Sequence, residues 1–101
     1  MQCKKYEMLP LIDKDLEETI PPLYPQDGNP TKIIYTRFYL HNWSWYVMEY
    51  SKLQRLCFGI VDGLEIEYGC FTIDELESIG ASRDYEFKPI KIKDKNYERV
   101  A

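Results

Sequence analysis

The sequence predicts a small α+β domain, an antiparallel sheet of three to five strands with two short helices. Three observations point there. A chain of 101 residues, 45% hydrophobic and 15% aromatic, has apolar volume for one core and no room for a second domain. Runs such as "KIIYTRFYL" and "WSWYVMEY" are dense in the β-branched and aromatic residues that suit strands. Two short segments, "KDLEETI" and "IDELESI", follow residues that cap helices. The domain is expected over residues 1–89, with 90–101 a basic, flexible tail.

Taken in order, Asp13 is placed to cap the first helix, and Asp15, Glu17 and Glu18 sit where the helix dipole favours acids. Leu16 and Ile20, four apart, give it a narrow apolar edge; Pro21 and Pro22 stop it. "LYPQDGNPT" reads as a loop. "KIIYTRFYL" is a strand, "HN" a break and "WSWYVMEY" its hairpin partner, with Trp43 and Trp45 on one face and Tyr46 and Met48 on the other. In "RLCFGIVDGLEIEYGCF", Asp62-Gly63 reads as a two-residue turn of the kind that needs positive φ. Pairing Val61 with Leu64 then puts Cys57, Gly59 and Val61 on one face with Leu64, Ile66, Tyr68 and Cys70. Thr72 and Glu75 form a capping box for a helix whose inner stripe is Ile73, Leu76 and Ile79, with Gly80 at C′. "RDYEFKPIKI" alternates Tyr85 and Phe87 with charged residues, an edge strand ending at Pro89.

The net charge of −4 argues against a general nucleic-acid binder, which needs an electropositive face for phosphates. Charge is also polarised. Residues 62–86 carry eight acids against Arg83 alone, and 88–99 carry five bases against Asp94 and Glu98. No apolar run approaches the roughly 20 residues of a spanning helix, and Glu7 and Pro10 interrupt the N-terminal stretch. The expected compartment is the cytoplasm, with the three cysteines as reduced thiols.

Four groups are candidates for function. The aromatic stretch 41–50 contains both tryptophans; with few bases near it, it reads as core more readily than as a base-stacking platform. Cys57 and Cys70 fall on one face in the expected register, diagonal neighbours. They are either inert core thiols or the start of a zinc site that Cys3 or His41 completes. His41 with neighbouring carboxylates would be the centre of a small hydrolase or nucleic-acid-processing enzyme, although no nucleophile motif accompanies it. Finally, Asp62, Glu65, Glu67, Asp74, Glu75 and Glu77 form either a solvated face or a negative surface for a Lys/Arg-lined protein.

The segments "IPPLY" (20–24), "NWSWY" (42–46), "FGIVDGLEIEYGCFTIDELESI" (58–79) and "RDYEFKP" (83–89), in this order, resemble a small bacterial family catalogued only as a domain of unknown function. Its members occur on plasmids, phages and integrative elements. The resemblance spans most of residues 9–89. Family members carry aromatic or aliphatic residues where this chain has Cys57 and Cys70, so the resemblance lends nothing to a metal role. It implies an accessory factor of a mobile element. The expectation is therefore a protein that binds without catalysing, an anti-CRISPR-like inhibitor of a bacterial defence nuclease such as a Cas effector. It would act through the six acids and make no direct contact with nucleic acid or membrane.

Overall fold

The protein is seen in a computed structural model that describes residues 10–23 and 31–93. Helix α1 spans Lys14–Thr19, and the Asp13 carboxylate accepts the Leu16 N–H at 2.9 Å. That bond holds the Asp13 carboxyl below its ordinary value, with Arg83 at 3.1 Å adding to the effect against partial desolvation. Beyond the helix the Pro21 carbonyl accepts the Tyr50 N–H at 2.9 Å, which ties this segment to the sheet.

Strands β1 (Thr31–Ile34), β2 (Thr36–Leu40), β3 (Trp43–Ser51), β4 (Leu56–Asp62) and β5 (Ile66–Thr72) are followed by α2 (Ile73–Ser78), β6 (Ser82–Arg83) and β7 (Ile90–Lys93). Five of them form an antiparallel sheet in the order β5-β4-β3-β2-β6, while β1 and β7 pair as a separate ribbon. Both helices lie on one face. Leu16, Ile20, Ile73 and Leu76 meet Phe38, Trp45, Val47, Tyr50, Cys57 and Phe71 there. The ribbon lies on the other, where Ile34 and Ile92 meet Met48 and Ile60, with Tyr46, Tyr68, Phe87 and Ile90 at the margin. A sheet buried on both sides buries successive positions, and 47–50 are buried without a break, Glu49 among the apolar Val47, Met48 and Tyr50.

A bulge makes that arrangement work. The β3–β4 register shifts between Val47 and Glu49, so Met48 and Glu49 share the place opposite Phe58. Strict alternation would put Trp45, Val47 and Glu49 on the helix face. The extra residue turns Glu49 to the ribbon face and brings Tyr50 round to the helix face beside Cys57. Gly59 sits across from the bulge, where a Cβ would collide with the Tyr46 carbonyl and the Met48 amide.

The structure departs from the sequence reading in several places. The expected strand 32–40 is two, because the chain leaves the sheet at Tyr35 to become the ribbon. Residues 90–93, expected in a flexible tail, form β7, with Ile92 buried. In 83–89 only Arg83 joins a strand; Phe87 packs against Tyr46, and no edge strand runs to Pro89. The capping box holds, with both Thr72–Glu75 bonds present, and Gly80 stands at C′ with φ 82°. Ile79, expected inside, is half exposed at the C-cap.

The largest change is the β4–β5 register. Asp62 pairs with Ile66, so the connection is the three residues 63–65. That shifts the expected pairing by an odd number and reverses every side chain of β5. Gly63 does not take positive φ. It is glycine because the Trp43 ring lies where its Cβ would be. Positive φ occurs instead at His41 (53°), in the two-residue β2–β3 turn.

Two outcomes follow for stability. Gly59→Ala lowers the urea-derived unfolding free energy by about 3 kcal/mol, because the opposing atoms are backbone and cannot rotate away; an unchanged midpoint would mean that the bulge relaxes freely. The Asp13 contribution has a depressed carboxyl behind it. It is therefore complete above the ordinary carboxylate value of 3.8 and lost as pH falls through the lower folded-state value. Acid unfolding followed by circular dichroism should show Asp13→Asn losing less stability than the parent across that acid limb.

Candidate functional site

Register brings the two short connections of the sheet to one end. Leu40 pairs with Trp43 across the 41–42 turn, and Ser44 pairs with Asp62 beside the 63–65 loop. Trp43 stacks on Trp45 with ring centroids 5.9 Å apart at 24° and covers Gly63. Trp45 is core, as expected of one tryptophan, whereas Trp43 keeps 39% of its surface exposed. At the same end Leu64, in the loop, is 93% exposed, and Ile66, on the ribbon side of the sheet, is 50% exposed. The carboxylates of Asp62, Glu65 and Glu67 stand at the same end. Among the described residues none of the three takes part in a side-chain hydrogen bond or ion pair.

The six acids of the expected negative surface do not form one face. Asp62 projects to the ribbon side and Glu67 to the helix side, with Glu65 in the loop between them. Asp74, Glu75 and Glu77 lie at the far end of β5, about 20 Å away by strand rise. They are also occupied. Arg55 bridges Asp74 at 2.9 Å and Glu77 at 3.0 Å, and Glu75 closes the capping box. Arg55 reaches them from the β3–β4 turn with φ 52°, its carbonyl accepting the Ile73 N–H at 2.9 Å. Half of the expected surface is thus the anchorage of a helix.

The expected zinc grouping is not assembled. Cys57 faces Phe71 on the helix side, and Cys70 faces Phe58 on the ribbon side. The register reversal separates them. Burial pushes the Cys57 thiol far up, a change that favours the neutral form over a metal-binding thiolate. His41 is exposed in its turn, more than about 20 Å along β3 from the Tyr50–Cys57 pair. Cys3 lies outside the described residues. Among those residues no three His, Cys, Asp or Glu side chains gather around a point where a metal could sit.

The sequence reading missed Leu64 and Ile66 as surface residues, because a two-residue turn places both in the paired strand. A leucine between glycine and glutamate was the available signal that the turn was longer. Also missed was a cavity of about 100 Å³ on the ribbon side, with Asp62 in its wall. Comparison with known proteins gives no match: no family model fits the chain, and neither a curated protein nor a solved structure is similar to it.

Thiol labelling separates the two described cysteines. In the native protein Cys70 is alkylated by iodoacetamide and Cys57 is spared until denaturant is added, as read by peptide mapping. Equal native labelling of both would show that the helix-face core opens readily.

Proposed function

We propose that this chain is a non-catalytic protein-binding factor that docks through the end of the sheet bearing Trp43, Leu64 and Ile66. The observation that carries the proposal is the coincidence of exposed apolar side chains with three carboxylates, Asp62, Glu65 and Glu67, that have no side-chain partner among the described residues, at that single end. Exposed apolar groups supply contact area, and charges beside them choose the partner. The complementary surface is apolar with lysine and arginine around it. A nucleic-acid-handling enzyme presents such a surface along its substrate channel. The reading therefore extends to a mobile-element or phage inhibitor of a bacterial defence nuclease, a Cas effector among the candidates, blocked by occlusion. Asp74, Glu75 and Glu77 drop out of the contact because they are engaged in holding α2.

The test is affinity capture from nuclease-treated bacterial lysate, comparing the parent with the triple variant Leu64→Ser, Glu65→Lys, Glu67→Lys. These positions are exposed, so the far-ultraviolet circular dichroism of the variant should match the parent. A protein retained by the parent at low salt is expected to be weakened roughly tenfold or more by the variant and to elute as salt rises. Equal retention by both chains would remove this end of the sheet as the contact.

A further inference from the structure

The cavity on the ribbon face has a composition that specifies a ligand. Five isoleucines line it, Ile60 and Ile66 from the sheet and three from the β1–β7 ribbon, together with Tyr46 and Asp62. Among the described residues Asp62 is the only charged one of that lining. Among the described residues its carboxylate has no hydrogen bond or ion pair, whereas Asp13, Asp74, Glu75, Glu77 and Asp84 each have one. A carboxylate set in an apolar wall is best satisfied by a cation whose remaining atoms are themselves apolar.

Size narrows the choice. The cavity, at about 100 Å³, has room for roughly three or four methylene-sized groups. A lysine side chain is a compact ammonium on a four-carbon stem; a guanidinium, although one carboxylate can hold it bidentately, is a wider planar fork on a shorter apolar stem, and suits a narrow hydrocarbon-lined space less well. The site offers one carboxylate among hydrocarbon. We propose that this cavity is a lysine-side-chain site, the stem lying among the isoleucines and the ammonium on the Asp62 carboxylate, with the lysine supplied by a protein partner. The source of the lysine rests on the docking surface described above. Ile66 and Asp62 belong to both, so a partner seated on Leu64 can reach the cavity. The lysine site itself is testable without any partner.

The experiment is a titration of the isolated protein, followed through the isoleucine methyl resonances, with Nα-acetyl-lysine N-methylamide, n-butylamine and n-butanol. Saturable shifts confined to the cavity isoleucines are expected with the first two, and binding roughly tenfold or more weaker with the alcohol. Asp62→Asn should weaken both amines by a similar factor. Ile66→Trp, made from a half-exposed position, should fill the space and abolish the shifts while leaving the remaining spectrum in place. Amine binding that survives Asp62→Asn unchanged, shifts spread over the surface, or binding of n-butylamine without the capped lysine would each overturn the assignment. Because no partner is present, failure here leaves the docking surface standing, and loss of the docking surface leaves this titration readable.

Discussion

Because Asp62 pairs with Ile66, β5 presents Phe71 and Gly69 to the helices and Ile66, Tyr68 and Cys70 to the ribbon side. Phe71 fills the core next to Cys57, and Tyr68 stacks on Phe58 with centroids 5.7 Å apart. Moving the pairing by one residue would exchange those two sets and carry Phe71 out of the core. The strand also runs directly into α2, so its register decides the face on which Ile73 and Leu76 are delivered. The Trp43 ring resting on Gly63 fills the space above the 63–65 loop and favours this pairing over its neighbours.

That constraint sorts the carboxylates into two kinds. Some are structural: Asp13 caps α1, Glu75 caps α2, and Asp74 and Glu77 hold Arg55. Asp62, Glu65 and Glu67 serve no such purpose among the described residues. With helices over one face of the sheet and the ribbon over the other, the end carrying the 41–42 and 63–65 connections leaves Trp43, Leu64 and Ile66 in contact with solvent. Apolar groups and free acids coexist there because neither is used in making the fold.

Local signals were readable from the chain. Asp13 and the Thr72–Glu75 box are capping chemistry acting over three or four residues, and both are realised. The strand-forming runs were equally plain, and Trp45 takes its place in the core. What the sequence concealed depends on distant partners. Tyr35 is as strand-like as its neighbours, and only the pull of β7 on β1 explains why the sheet splits there. The bulge at Met48–Glu49 follows from Gly59 on another strand. The candidate zinc pair and the continuous acidic face both descended from one assumed turn length, so a single local error displaced two functional ideas together.

The ribbon joins segments distant in the chain, Ile34 facing Ile90 across its register. β1 to β5 leave the ribosome before β7 does, so Met48, Ile60 and Tyr46 lie on an unroofed side of the sheet until the last strand emerges. Such a chain passes through a stage in which it is foldable yet adhesive, with closure delayed by the entropy of a long loop. Newborn molecules would then depend for their solubility on how promptly the ribosome delivers the roof.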